Sequence, residues 1–408
     1  MFTRAYNSLA DNQDSFGVEL PQPLGPGWTH AYHILLRTDT NQTHAEVIWG
    51  DGRRDGFSKA GDVWQASSPG NFATLTAVSN QPYAWELTTK AQTRYRFDAN
   101  QRLTAIVGRN GYQLQLIYSG DELDTITDTA GRTIQFIHTN GQLTQIQLPG
   151  KTPLSRTIEL IYTGIFLGEV KDMNGNSWHY TYYNGKLRRI YRANAHTDLD
   201  NKVALQLDYD AQSRVEKQRT AHHLLTANTG SYQFDWATAN TLKYRTPTGQ
   251  GAEFVWDEQQ RVVKITPVNT SGATTQDISY HTDSSPESLL PVQMEDQVDN
   301  PYGLTYANTD LTALQPPLGD AYALQYNGTH DTTAMTTPKG VSIGLPRDTA
   351  GKPTAITAQG GGIVNTLNTA ISYNANALLQ TISTPDGVKT EVASYHVDGQ
   401  PLTTYHNS

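Results

Sequence analysis

The sequence predicts an all-β protein: a long antiparallel ribbon of β-hairpins, repeated about every twenty residues, that coils into a partial hollow shell or barrel with almost no helix. Three observations carry this. The first is self-similarity. Segments such as YRFDANQRLTAI (95–106), IQFIHTNGQLTQI (134–146), IELIYTGIFLGEV (158–170) and LQLDYDAQSRVEK (205–217) place an aromatic ring, a polar turn and an aliphatic residue in the same order. The ring-bearing anchors are Phe97, Tyr118, His138, Tyr162, Tyr182, Tyr209, Trp236, Trp256, Tyr280, Tyr306, Tyr326, Tyr373 and Tyr395. Through Tyr280 their spacing runs from 20 to 27 residues, as expected of a fixed hairpin core with loops of variable length. The second observation is period-two alternation, as in Tyr112-Gln113-Leu114-Gln115-Leu116, which turns one face of a strand inward. The third is composition: 22 Tyr, 33 Gly and 19 Pro with 17% charged residues suit short strands and tight turns.

Residues 1–92 come first and stand outside the repeat. They carry LGPGWTHAY (24–32) and WGDGRRDGF (49–57), both dense in glycine and aromatics. Gly25 and Gly27 permit tight backbone and Trp28 offers a large surface to bury, so this region reads as a plug or lip that starts the sheet. Residues 93–408 form the repeat, and HYTYYNGKLRRIY (179–191) is one rung of it. Its two arms meet at Asn184-Gly185, a pair that tolerates the positive φ angles of a type I′ hairpin turn. Other arms end at Gly111, Gly131, Asn140-Gly141, Asn174-Gly175, Asn327-Gly328, Asp386-Gly387 and Asp398-Gly399. Pro149, Pro247, Pro267, Pro338 and Pro385 are placed between hairpins, where a missing N–H is harmless. Asp98, Asp128 and Asp257 read as turn caps acting through their own side chains, and the anchor aromatics as packing between rungs. One hairpin per anchor gives roughly 26 strands, and about 4.8 Å between strands makes a ribbon on the order of 120 Å long. A twisted sheet of that length does not stay open, so the ribbon coils or closes around a space.

Charge and composition remove several function classes. The formal net charge is −9 and the pI about 5.7, which argues against nucleic acid as a partner. Arg53-Arg54 and Lys186…Arg188-Arg189 sit beside turns and read as solvated hairpin ends. The chain has no cysteine, so disulfides, thiolate metal sites and cysteine nucleophiles are excluded. No run approaches the roughly 18 apolar residues that cross a bilayer. The start, MFTRAYNSLADNQ, lacks the apolar core of a signal peptide, so export information would lie elsewhere.

Motifs that carry chemistry are equally scarce. Pro149-Gly150-Lys151-Thr152 matches the tail of a phosphate loop, but Gln145 stands where its first glycine belongs. The GxSxG elbow and HExxH are absent. His30 and His33 are placed on opposite faces of a strand, which spoils joint metal ligation. His222-His223 reads as loop, and Asp198-Leu199-Asp200-Asn201 lacks the glycine and terminal glutamate of a calcium loop. The expectation is no catalytic residue, no cofactor and no metal.

Three motifs carry a family resemblance. Arg4-Ala5-Tyr6-Asn7-Ser8, then Leu24-Gly25-Pro26-Gly27-Trp28-Thr29-His30-Ala31-Tyr32, then Asp51-Gly52-Arg53-Arg54 with Phe57, resemble in order and spacing the opening region of bacterial RHS/YD-repeat proteins. The pairs Phe97-Asp98, Tyr209-Asp210 and Trp256-Asp257, with Thr127-Asp128-Thr129-Ala130-Gly131-Arg132-Thr133, resemble the YD repeats of that family. These repeats are clear to about residue 265; beyond it the pattern thins, and Pro346 stands where an anchor is due. The motif residues are Gly25, Gly27, Trp28, Tyr32, Asp51 and Arg53, followed by the anchors Tyr118, Tyr162, Tyr182, Tyr209, Trp236 and Trp256.

The resemblance implies a β-ribbon spiralling into a hollow shell, as in RHS toxins, the shell components of insecticidal toxin complexes and the teneurins. Residues 1–92 would be the plug-like opening region and 93–408 the hairpin repeats. In bacterial members the shell encloses a C-terminal toxin, released by an aspartyl self-cleavage. The nearest match to that cleavage motif, Asp299-Asn300-Pro301-Tyr302-Gly303-Leu304, carries an inserted asparagine and lacks the Tyr/Arg-rich lead, so no catalytic role is carried over. The chain ends at HVDGQPLTTYHNS, still repeat-like, which makes an N-terminal piece of a larger or split shell the expected reading. The implied function is a non-catalytic shell segment that encapsulates or presents a toxin or effector polypeptide in bacterial competition. The alternative is a β-repeat adhesin that binds carbohydrate at a cell surface. Implied partners are the toxin polypeptide or the remainder of the same shell, with a cell-surface glycan under the alternative. The implied location is that of a secreted or cell-surface effector, cytoplasmic before export.

Overall fold

The structure, a computed structural model, describes residues 2–10, 12–61, 63–68, 71–149, 156–192, 203–221, 230–269, 275–281, 286–296, 298–375, 378–395 and 401–407. Apart from a short 3-10 helix, Pro286–Leu289, its elements among these residues are strands. Thirty-four of the described strands, from Leu35–Thr38 to Pro401–Asn407, form one antiparallel sheet in which sequence neighbours pair. The sheet is open-ended: its last strand pairs with Lys389–Tyr395 alone among the described strands. The chain divides into two compact units. One holds Met1–Leu87, Tyr95–Ile106 and Gln113–Asp277; the other holds Thr88–Arg94, Val107–Tyr112 and Ile278–Ser408.

In the first unit the repeat is a stack of hairpins. Gln113–Ser119 pairs with Glu122–Asp128, Thr133–Thr139 with Gln142–Gln147, Thr157–Thr163 with Phe166–Lys171, and Ser177–Tyr183 with Lys186–Tyr191. Asn184 and Gly185 join the last pair at φ 49° and 74°, the sign a type I′ turn demands. Alternation then sorts the side chains. Leu116, Phe136, Leu160 and Tyr180 are buried on the first arms, opposite Ile126, Ile146, Val170 and Ile190, while Ile117 and Ile161 point outward. The buried rows form one core cluster with Leu24, Trp28 and Tyr32 of the opening region.

Nearly every hairpin shares one irregularity. The strand register slips at Ile117/Tyr118, Ile137/His138, Ile161/Tyr162, Thr181/Tyr182, Asp208/Tyr209 and Val255/Trp256. In the second unit it slips at Ser279/Tyr280, Thr305/Tyr306, Gln325/Tyr326, Ser372/Tyr373 and Ser394/Tyr395. These eleven anchors therefore sit at β-bulges. A bulge bends its strand and adds right-handed twist, so a bulge at a fixed place in each rung gives the rungs a common local bend.

The turns between hairpins share a second device. Asp128 Oδ1 accepts the N–H groups of Ala130 and Arg132 at 2.9 and 3.0 Å, while its Oδ2 takes the Arg132 guanidinium at 2.6 Å. Asp210 with Arg214 and Asp257 with Arg261 repeat the pattern, and Asp98 with Arg102 follows it closely. Asparagine takes the closing position in Asp172–Asn176 and the capping position in Asn327–Asp331. Slight burial works against the charges of Asp210 and Asp257, but the N–H groups and guanidinium of the arginine outweigh it and hold both carboxyls below their ordinary range. The turn-cap reading of Asp98, Asp128 and Asp257 holds, with an added partner in the arginine.

The second unit continues the hairpins. Pro301–Ala307 pairs with Asp310–Gln315, Tyr322–Tyr326 with Thr332–Thr336, and Ile363–Tyr373 with Leu379–Ser383. Where Pro346 replaces an anchor the hairpin persists: Val341–Gly344 pairs with Ala355–Gly360 and Arg347 bridges Pro353. That extra rung brings the described strands of residues 93–408 to twenty-eight, above the 26 that one hairpin per anchor predicts. The turns at 88–94 and 107–112 are fixed by charge. Lys90 Nζ lies 2.8 Å from Asp310 Oδ1, and His330 Nδ1 lies 2.8 Å from Asp310 Oδ2. Arg109 pairs with Asp331, and its guanidinium occupies the space a side chain on Gly351 would need. Pro267 departs from expectation, because it lies inside the strand Val262–Val268 opposite Ala252. Among the described residues, pairing of that strand with Gln276–Tyr280 runs no farther than Ile265, so a missing N–H on that side removes no described ladder bond.

Candidate functional site

The opening region forms a strap laid across the hairpins of the first unit. Arg4–Tyr6 pairs with Trp28–His30 in a separate two-stranded sheet. From this base the strap bonds to successive rungs. Leu143 N donates to Pro23 O at 2.9 Å, and Leu187 N donates to the Tyr6 hydroxyl at 2.9 Å. Lys186 Nζ donates to Ser8 O at 2.6 Å, and Ser8 Oγ donates to Ser213 O at 3.0 Å. Trp28 Nε1 donates to the Tyr182 hydroxyl at 2.8 Å, and its ring meets Tyr180 edge-on at 5.2 Å. Tyr32 meets Phe136 edge-on at 6.4 Å.

Both glycines of LGPGWTHAY are required by this geometry. Gly25 has φ 82°, and a Cβ there would fall on the carbonyl oxygen of Ile165. Gly27 has φ 77°, and a Cβ there would lie 2.7 Å from the Tyr6 ring.

The anchors form a second set of ties, from each rung to the one before. Tyr162, Tyr182 and Tyr209 donate their hydroxyls to the carbonyls of Leu143, Leu167 and Leu187 at 2.8, 2.8 and 2.7 Å. Trp236 Nε1 donates to Val215 O at 3.1 Å. Each acceptor stands opposite the preceding anchor in the ladder. In the second unit Tyr373 donates to Pro353 O at 2.9 Å and Tyr395 donates to Leu379 O. Burial pushes the phenols of Tyr118, Tyr162, Tyr182 and Tyr209 above their ordinary range, so they remain protonated donors at any physiological pH. Trp256 breaks the series, since its indole N–H is buried without a partner. His138 breaks it by chemistry.

The histidines of the strap differ from expectation. The strand Trp28–His30 ends at His30 and the chain turns, with His33 N donating to His30 O at 2.8 Å, so the two rings come together at 5.6 Å instead of pointing to opposite faces. Burial depresses both: His33 to about 4, with the Arg37 charge adding, and His30 well below its usual value, with His33 and His138 adding. Burial also lowers His138, against the opposing pull of Glu122 and Asp124. The three imidazoles line a cavity of about 680 Å³. Among the described residues no group of three or more His, Asp or Glu side chains is arranged to hold a metal ion.

The remaining residues singled out in the sequence, Lys186 excepted, make their contacts outside the strap ties. Arg53 N donates to Asp51 Oδ1 at 2.9 Å, and Arg53 closes its own turn on Asp55 and Trp49. Lys186, Arg188 and Arg189 are not solvated ends: Lys186 holds Ser8, Arg188 pairs across strands with Asp208, and Arg189 Nε donates to Gln206 Oε1 at 2.8 Å. Asp299 is a turn residue at φ 63°, and Pro301 opens the next strand. Gly150-Lys151-Thr152, Asp198–Asn201, His222-His223 and Asp398-Gly399 lie outside the described residues.

Residues 1–57 match the family described as a domain of unknown function (DUF6531). No curated protein matches the chain in sequence. Among solved structures, the crystal structure of TcdB2-TccC3 matches 93% of this chain with a TM-score of 0.52 at 12% identity, over 22% of its own length. A Tc holotoxin pore of Photorhabdus luminescens with a mutated TccC3 matches 94% of this chain at 12% identity and a TM-score of 0.48, again over 22% of its own length. The chain thus spans about a fifth of the length of the structures it matches, and it shares the fold of the first.

Proposed function

We propose, from the premise that this chain has the RHS/YD-repeat shell fold, that it is a wall segment enclosing or presenting a toxin or effector polypeptide, with no reaction of its own. The fold match across 93% of the chain to TcdB2-TccC3 carries this reading. The internal design supports a wall role, because many of its polar side chains are taken up by construction. Anchor hydroxyls hold adjacent rungs, turn carboxylates hold their own backbone, and the strap glycines hold a close backbone contact. The partner is then the polypeptide held by the wall or a further stretch of wall, and the setting is that of an exported effector. A glycan-binding role draws no support from Tyr162, Tyr209 and Trp236, whose polar tips are already bonded to carbonyls.

Protease protection tests the reading. The full chain, produced together with a candidate toxin polypeptide, is purified and exposed to trypsin. The toxin segment should survive in the complex and be cut once urea unfolds the ribbon. Cleavage in the intact complex at the rate of the free polypeptide would overturn the proposal.

A further inference from the structure

The ties between rungs have a gap. From Tyr162 to Trp236 each anchor's polar tip reaches the carbonyl opposite the preceding anchor. One rung earlier, the residue opposite Tyr118 is Leu123, and the anchor due to reach it is His138. An imidazole is shorter than a phenol, and the His138 Nδ1 lies instead 3.9 Å from Glu122 Oε2. The space left belongs to the 680 Å³ cavity, whose walls include Leu123, His138, Tyr118, Tyr32 and Leu35. His33, also in its wall, has an Nε2 that is buried and without a partner. Asp14, Glu19, Arg37, Arg102, Asp121 and Glu122 make one part of the lining charged, while the larger part is apolar and aromatic, as is usual for a small-molecule site. Every wall named lies in the first unit.

We propose that this cavity binds a phenol, whose ring fills the vacant anchor slot beside His138 and whose hydroxyl donates toward the Leu123 carbonyl as the neighbouring anchors do toward theirs. Phenol is the class the fold itself specifies, because three successive rungs fill the equivalent slot with tyrosine. Two sources share this chemistry: a tyrosine side chain of another polypeptide, or a free phenolic molecule. The inference rests on rung geometry and is independent of the shell reading.

Calorimetric titration of the full chain with p-cresol and with toluene tests it. The expected result is saturable p-cresol binding about tenfold tighter than toluene, which is about 1.4 kcal/mol, the size of one hydrogen bond. N-acetyl-tyrosinamide separates the sources: binding tighter than N-acetyl-phenylalaninamide points to a peptide tyrosine, and binding of p-cresol alone points to a small phenol. H138Y places the chain's own phenol in the slot and should weaken p-cresol binding at least about tenfold. A circular dichroism spectrum establishes that the variant folds; if it does not, the comparison of p-cresol with toluene on the unaltered chain decides. Binding of p-cresol no tighter than toluene, no saturable binding of either, or undiminished binding to folded H138Y would each overturn the proposal.

Discussion

At Gly25 one hydrogen atom in place of a side chain decides whether the strap seats. Ala at Gly185, where the added Cβ meets open space, should cost only the left-handed backbone penalty of about 1–2 kcal/mol. Ala at Gly25 carries that penalty and a collision with the Ile165 carbonyl, and should cost about 1–3 kcal/mol more. Urea unfolding of the two variants checks this, and equal costs would mean that the close approach is relieved elsewhere. Tyr182→Phe should be worse than Tyr209→Phe. The first removes the acceptor of a strap indole as well as a tie to Leu167, about 2–3 kcal/mol, while the second loses one tie to Leu187, about 1 kcal/mol. Acid acts at the same place. His33 is held at about 4 and His30 well below the ordinary 6.5, so the unfolded chain takes up protons first as pH falls. Both contributions are complete above about pH 6.5 and decline as pH falls below it, that of His33 being lost toward pH 4, at up to about 1.4 kcal/mol per pH unit for each ring. Urea midpoints should therefore fall between pH 7 and pH 5, and a flat profile over that range would contradict the burial of both rings.

The element that recurs is the hairpin with its capped turn, and the fold tests its tolerance by itself. Asn327 caps a turn with the same two backbone bonds that Asp210 makes, so the amide can replace the carboxylate. Asp210→Asn should cost no more than about 1 kcal/mol, the worth of a partly exposed ion pair with Arg214. Asp210→Ala loses the cap as well and should cost about 1–2 kcal/mol. Thermal unfolding of both variants checks this, and equal losses would place the stabilisation in the ion pair. Much at this scale was legible in the sequence. The anchors, the Asn-Gly turns and the aspartate caps are local chemistry repeated at fixed spacing. The bulges were not, because a slipped register is a backbone event with no residue type of its own; only the spacing of the anchors marks it. The rung at Pro346 was missed for the same reason, since pairing survives without an aromatic. The strap's ties join residues as far apart as Trp28 and Tyr182, and the cross-strand pairing of Arg188 depends on which neighbours the register sets opposite it.

At the scale of the whole chain, stability is distributed rung by rung, with a few long-range fastenings. In the second unit one of these is the buried carboxylate of Asp310 between Lys90 and His330. Burial works against its charge, but both partners outweigh that and hold its pKa below the ordinary range. Asp310→Asn should cost about 2 kcal/mol, less than the 3–5 of a fully buried pair because the Lys90 side chain is 33% exposed. Hydrogen exchange should speed up in Asp310–Gln315 and in the turn 88–94 before the rest of that unit responds. Exchange that rises evenly across the unit would show that the contact is not a local fastening.

The strap has a consequence in time. A hairpin needs only its own twenty or so residues to close, so rungs can form in order as the chain is made. The strap cannot follow that order, because its bonds reach Leu143, Leu187 and Ser213. At about 5–20 residues per second of synthesis, the strap waits roughly 10–40 s for its seat to be complete. During that interval Trp28 and Leu24 have no hairpins to cover them. The strap precedes the hairpins in sequence but is locked only once they have formed as far as Ser213, and a nascent-chain arrest placed before or after residue 213 would catch it loose or seated.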